Sequence, residues 1–220
     1  MAHIKAIAVA VGLIMATVPS WSGAEDLQDI PLPAPRMAGG KPLMQALKER
    51  KSSRAFGPKN LPLQVLSDLL WAAFGINRPG SGKRTAPSAM NRQEIEIYAL
   101  MEDGAYLYDA RANRLEAVAK GDLRKLAGTQ EFVARAPLNL IYVADMTKMS
   151  GASAENQTLY SAADTGFISQ NVYLFCASEG LATVVRGSVD REALSKALKL
   201  SAQKKIMLAQ TVGYQENEGQ

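Results

Sequence analysis

Between Pro137 and Asp145 the chain reads PLNLIYVAD, and this run restricts the fold more than any other stretch. A continuous apolar run of that length predicts a strand covered on both faces, and hence one placed centrally in a sheet. EIEIYALM, from Glu94, alternates as a strand does. AYLYDARANRLEAV reads as a hairpin with its turn between Asp109 and Asn113, and LATVVRG and KIMLAQTVGY are further strands. Helical periodicity appears in LMQALKER and, more strongly, in LPLQVLSDLLWAAFG. There Leu63, Leu66, Leu70 and Phe74 share a face and Gly75 ends the run. GDLRKLAG also reads as helical. Residues 158–179 predict a long helix offering Phe167, Val172, Leu174 and Phe175 for burial, and Asp190 caps REALSKALKL. INRPGSGKRTAPSAMNRQ is a loop. Strands in the middle with helices before, between and after them give an α+β domain.

The first residues belong to a different category. Lys5 precedes the apolar run AIAVAVGLIMATV, and PSWSGA follows with small residues at Ser22 and Ala24. That pattern is a secretory signal peptide of the general export type, with cleavage expected after Ala24. The apolar run falls short of the ~20 residues that span a bilayer, so no membrane anchor is expected after cleavage. The expected location is secreted or periplasmic. Residues 25–41, rich in Pro and Gly, form an extended arm; 42–214 form the domain; 215–220 are a polar tail.

Only one histidine exists, His3, and it lies within the signal peptide. The mature chain therefore excludes Ser-His-Asp and Cys-His hydrolases and histidine-ligated metal sites, and no metal is expected. Lys5 is the one cation in the first 24 residues, so 24 cations face 21 anions in the remainder. That excess, without a basic stripe interleaved with aromatics, gives no reason to expect nucleic acid. Cys176 stands alone in the apolar setting NVYLFCASEGL and reads as a packed, inert thiol rather than a reactive one.

The remaining chemistry concentrates in four short segments. ERKSSRAF places Arg50, Lys51 and Arg54 around Ser52 and Ser53. Forked donors beside short hydroxyls suit a phosphate, although a basic run also reads as a solvated face. PGSGKR, residues 79–84, lacks the first glycine, the hydroxyl residue and the preceding strand of a nucleotide-binding loop, and is read as a flexible loop. In TAPSAMNRQ, Pro87 fixes a turn while Ser88 and Asn91 present compact polar groups ahead of a strand. GTQEFVARAP sets Gln130 before a helical turn. VVRGSVD sets the Arg186 amide and Gly187 at the carboxyl end of a strand, where glycine permits close approach of something flat. Asp145 and Asp164 read as a strand-end residue and a helix-capping or hydrogen-bonding one.

In their order and spacing these segments resemble the FMN-dependent nitroreductase superfamily, in particular its thiazoline/oxazoline dehydrogenase branch. The resemblance runs from Pro42 to Tyr214 and is carried by RKSSR, RTAPSAMNRQEIEIY, YLYD, QEFVARAPLNLIYVAD and GFISQNVYLFCASEGLATVVRG. It implies a central, mostly antiparallel sheet flanked by helices and an interlocked homodimer, with FMN bound at each end of the interface. It implies further that Arg50 and Ser52, within the run that includes Lys51 and Ser53, hold the phosphate, and that Arg54 faces the pyrimidine edge of the flavin. By the same resemblance Ser88 and Asn91, with Pro87 shaping their turn, are expected from the partner chain. Gln130 is expected to bond the polar edge of the ring, and the amide at Arg186, with Gly187, to meet the ring nitrogen that receives hydride.

Two departures accompany it. The tail QENEGQ carries no cation where relatives place basic residues, so Lys204 or Lys205 is expected to assist Arg50. Arg186 stands where some relatives have an acidic residue, and its side chain is expected at the substrate mouth. The implied activity is ping-pong hydride transfer through FMN to or from a small organic substrate. A flavin- or ligand-binding protein without turnover is the alternative.

Overall fold

The 138–145 run is an internal strand in the computed structural model, which describes Met1 and residues 26–216. Its neighbours follow in chain order. β1 (Ile30–Pro31) leads into α1 (Leu43–Glu49), α2 (Leu63–Phe74) and the short pair β2 (Ile76–Arg78) and β3 (Lys83–Arg84). Then come β4 (Ile95–Leu100), β5 (Gly104–Asp109), β6 (Arg114–Lys120), α3 (Glu131–Arg135) and β7 (Leu138–Asp145). α4 (Ala154–Glu179), β8 (Leu181–Arg186), α5 (Arg191–Ala197) and β9 (Lys204–Tyr214) complete the order. Seven strands form one sheet in the order β1-β6-β5-β4-β7-β9-β8, with every pairing antiparallel.

β7 is covered on both faces, as its composition requires. Leu140 and Tyr142 join a core formed with α2 and α4, while Ile141 and Val143 join a second core with Phe56, Phe132 and Leu194. Successive strand side chains point to opposite faces, so one continuous apolar run serves both layers. The ends of α4 are set locally. Ser153 accepts from the Asn156 N–H at its start, and Gly180 closes it at φ 71°. Asp190 caps α5 by accepting from the Ala193 N–H at 3.0 Å. Gly75 ends α2 with extended rather than left-handed backbone, and the Trp71 ring fills the space a Cβ there would need, 2.4 Å away.

Several local expectations are corrected. GDLRKLAG contains a 3-10 turn at Arg124–Ala127 rather than an α-helix. The loop after α2 contains the β2–β3 ribbon, so PGSGKR forms a hairpin, and no α-helix follows it before Ile95 to receive a nucleotide phosphate. Phe167 and Leu63 are 48% and 47% exposed instead of buried. The arm beyond residue 25 packs along the sheet edge: Ile30 pairs with Leu115, Ser67 Oγ donates to the Pro33 carbonyl, and Arg36 bridges Asp68 at 2.7 Å. The signal peptide expectation, residues 1–24, falls outside the described residues apart from Met1. Among the described residues no helix is long and apolar enough to cross a membrane.

Candidate functional site

Segment 50–57 lies along the free edge of β8 and the end of β9. The Ser53 N–H donates to the Thr183 carbonyl at 2.9 Å, Gly57 N–H to the Tyr214 carbonyl at 3.0 Å, and Phe56 pairs with Gln215. Ser53 Oγ also donates to Gln215 Oε1. The first two residues of the polar tail, Gln215 and Glu216, thus pair with the segment. The Arg50 guanidinium sits 5.3 Å from the centre of the Tyr173 ring, and Lys51 and Arg54 are exposed. A cavity of about 360 Å3 opens beside it, with Lys51, Tyr173, Thr183 and Gln215 in its lining.

Tyr173, a residue not singled out in the sequence, organises this edge. Its hydroxyl accepts from the Val185 N–H at 2.9 Å and lies 2.8 Å from Ser52 Oγ. With a backbone N–H donating to it, the phenol can donate its own O–H to Ser52 Oγ, which frees the serine hydroxyl to donate outward. Only its position among the buried residues of QNVYLF hints at this role. Cys176, one turn further along α4, is fully buried and burial pushes its thiol well above the ordinary range, in keeping with an inert residue.

The parity of β8 settles which amide faces outward. Backbone groups of alternate residues in a strand point to the same edge, and the Thr183 carbonyl and the Val185 N–H both serve the free edge. Arg186 N–H therefore points toward β9, and Gly187 N–H comes next on the free edge. A Cβ at Gly187 would meet only Leu208, at 3.8 Å, so nothing within the chain demands a glycine there. The Arg186 side chain does not face outward as expected: it is 8% exposed and packs into the second core. Gln130 stands exposed before α3, and Thr129 Oγ1 lies 3.0 Å from Ser188 Oγ, which brings the 128–130 loop to the end of β8.

Pro87, Ser88 and Asn91 lie elsewhere. Their loop is held to α4 by the Ala89 N–H donating to Asp164 Oδ2 at 2.8 Å, and by the Gln93 N–H donating to Ser88 Oγ at 3.0 Å. Met90, Asn91 and Gln93 all adopt positive φ, between 50° and 55°, so the loop is held in a shape L-residues rarely choose. Beneath it Glu94 is fully buried, beside the Asp164 carboxyl and the Ser161 hydroxyl. Burial raises the pKa of both Glu94 and Asp164. Asp164 and Tyr173 are nine residues apart on α4, about 14 Å along the axis and half a revolution around it. One chain therefore keeps Asn91 and Ser52 on opposite flanks of this helix.

Within one chain Lys204 and Lys205 lie far from Arg50. They begin β9, where Lys204 pairs with Glu96 at 2.7 Å, while the segment meets the strand's other end, ten residues and about 34 Å away. The cation near the tail is Lys59, whose ammonium sits 4.9 Å over the Tyr214 ring. No sequence signal marked it.

Residues 47–214 match the sequence profile of the nitroreductase family. A candidate nitroreductase of Methanocaldococcus jannaschii is 30% identical over 168 residues, which span 72% of this chain and 84% of the relative. Among solved structures, a candidate nitroreductase of Ralstonia eutropha superposes with a TM-score of 0.84 at 39% identity, over 92% of this chain and 97% of the other. A chain of the E. coli microcin synthetase McbBCD, solved with truncated pro-MccB17 bound, shares the fold with a TM-score of 0.66 at 20% identity, over 97% and 85%.

Proposed function

Because the chain belongs to the nitroreductase family, matched over residues 47–214, we propose that this oxidoreductase is FMN-dependent and acts as a homodimer. Its residues fit that cofactor. Arg50 and a Ser52 hydroxyl oriented by Tyr173 can hold a phosphate, with Lys51, Ser53 and Lys59 close by. Gly187 leaves an unobstructed approach with an outward N–H, and Gln130 offers a free carboxamide beside it. Arg54 is free to face the polar edge of a ring. When bound, FMN supplies two-electron chemistry; the chain binds it, orients it and gives charge to its reduced state.

The observation that carries the reading is the division of the site across α4. Ser88 and Asn91 belong to one flank, Arg50 and Ser52 to the other. Between the flanks runs an exposed stripe of Leu159, Ala163, Gly166, Phe167 and Gln170. Leu43, Met44 and Leu47 of α1 are exposed as well. Apolar stripes of this kind are normally covered. A second copy of the chain that covers them brings its Ser88–Asn91 loop within reach of the first chain's Arg50 and Ser52, so each complete site draws on both chains.

Export is retained in this reading on the sequence of residues 1–24. An exported enzyme meets no NAD(P)H, so direct oxidation of a small organic reductant is the donor half-reaction favoured here.

Titration with FMN tests the cofactor. At a hundredfold excess over Kd the native state gains about 2.7 kcal/mol, or roughly 5–11 °C in Tm for a chain of this size. Riboflavin, without the phosphate, is expected to shift it much less. No FMN shift alongside a shift with another ligand overturns the reading, and tight FMN binding without turnover favours a binding protein. For the shared site, mixing an Asn91→Ala chain with an Arg54→Ala chain restores one intact site per heterodimer. Absence of recovery in confirmed heterodimers rules out a site built from two chains.

A further inference from the structure

Arg186 is a cation without a counter-ion in the second core. Its guanidinium donates to Thr211 Oγ1, to the Ala127 carbonyl at 3.0 Å and to Asn139 Oδ1 at 2.9 Å, and the Phe132 ring lies 5.7 Å away. Every one of these partners is neutral, and Nε has none. Among the described residues no carboxylate pairs with it. Burial alone draws its pKa down, to about 10, so it stays charged at neutral pH. A buried charge of this kind is costly, and an apolar side chain of similar volume is the cheaper way to fill a core.

The same side chain clasps the loop before α3 onto the end of β8. Ala127 is held directly. Asn139, which accepts from both Arg186 and Thr211, donates in turn to the Val133 carbonyl at 2.8 Å. A Cβ on Gly128 would stand 2.6 Å from Arg186 Nε and 3.1 Å from the Ser188 carbonyl, so the loop lies flat against both. Gln130 and Gly187, the two groups flanking the proposed flavin ring, are therefore braced by one guanidinium whose charge nothing nearby neutralises. In a core of low polarity that charge is weakly screened and acts on whatever binds at the strand end.

We infer that Arg186 is a positioning residue whose uncompensated charge makes the site prefer reduced, anionic FMN over oxidised FMN. The inference rests on the flavin reading above. It differs from the expected role of Arg54, an exposed cation at the ring edge, because Arg186 acts from behind the loop and need not touch the cofactor.

Three variants of the full-length protein separate charge from geometry. Asn139→Asp sets a carboxylate where Arg186 already donates, and so neutralises the cation while keeping that hydrogen bond, at the cost of the bond Asn139 gives the Val133 carbonyl, a loss that Arg186→Met does not share directly. Arg186→Met removes the charge, and Arg186→Lys keeps it with a looser clasp. Affinity for oxidised FMN is read by fluorescence titration and the midpoint potential of the bound cofactor by reduction against a reference dye.

The expected result is at least a tenfold fall in the preference for reduced FMN in Asn139→Asp and in Arg186→Met, a shift of about −30 mV per tenfold for a two-electron couple. Arg186→Lys is expected to stay near wild type, and oxidised FMN to bind all folded variants within a few-fold. A midpoint unchanged in whichever of the two neutralising variants folds overturns the inference, as does loss of oxidised FMN binding by a folded Asn139→Asp protein. Wild-type protein that binds no FMN at all overturns the flavin reading instead, and this inference with it.

Discussion

Replacing Tyr173 by Phe removes one oxygen and, with it, one of the links between β8 and the 50–57 segment. The ring is 7% exposed and packs against α4's own neighbours, so Phe keeps the apolar contacts and the face under Arg50. Two hydrogen bonds go, at 2.9 Å to the Val185 N–H and at 2.8 Å to Ser52 Oγ. An amide left without an acceptor costs about 1–3 kcal/mol when fully buried, and Val185 is only half-buried, so the low end applies. A loss of about 1 kcal/mol lowers Tm by roughly 2–4 °C in a domain of this size. Ser52, freed from its orienting partner, loses part of its bond to the ligand phosphate, and about 1 kcal/mol there weakens FMN binding about fivefold. Thermal scans of the apo-protein and FMN fluorescence titration in the same buffer measure both effects. Wild-type values in both would refute the assignment of Tyr173 as organiser of this edge; a lower Tm with unchanged FMN affinity would leave it only a structural role.

Arg50→Ala is expected to weaken FMN binding by roughly ten- to a hundredfold, the value of a charge-assisted phosphate contact, and unchanged retention of flavin would move the phosphate elsewhere. Gly166→Leu has open space within one chain, where a Cβ meets nothing within 4 Å, so it should fold normally yet run as a monomer in sedimentation if a partner helix lies on that stripe. Glu94 and Asp164 have folded-state pKa values raised above their unfolded ones, so the pair adds stability below the ordinary carboxylate range and loses it as pH climbs through the raised values. Tm should therefore decline over that interval, and Glu94→Gln should flatten the decline and raise Tm at neutral pH; an unaltered pH profile in that variant would clear the pair of responsibility.

Much of this molecule follows from local rules acting on the sequence. β7 is internal because Leu138–Ala144 leaves almost no polar side chain to present to water on either face. Asp190 caps α5 because its carboxylate reaches an amide three residues on, and Gly180 ends α4 because its positive φ suits glycine. The candidate segments were legible for the same reason: cations beside hydroxyls, and a glycine after a strand, carry their chemistry wherever they are placed. Partnerships across the fold were not.

Whether Arg186 faces a mouth or a core depends on the parity of β8, set by its register against β9. That one alternation also exchanges the outward amide from Arg186 to Gly187. Lys204 is removed from the 50–57 segment by the length of a strand whose direction only sheet pairing decides, while Lys59 arrives because Gly57 bonds Tyr214 from 157 residues away in sequence. The exposure of Phe167, the service of Tyr173 to Ser52, and the separation of Asn91 from Arg50 across α4 all depend on which neighbours surround a helix whose own composition is nearly uniform around its axis. Side-chain type determined what each group can do; tertiary packing, through distances between residues remote in sequence, decided which groups do it together.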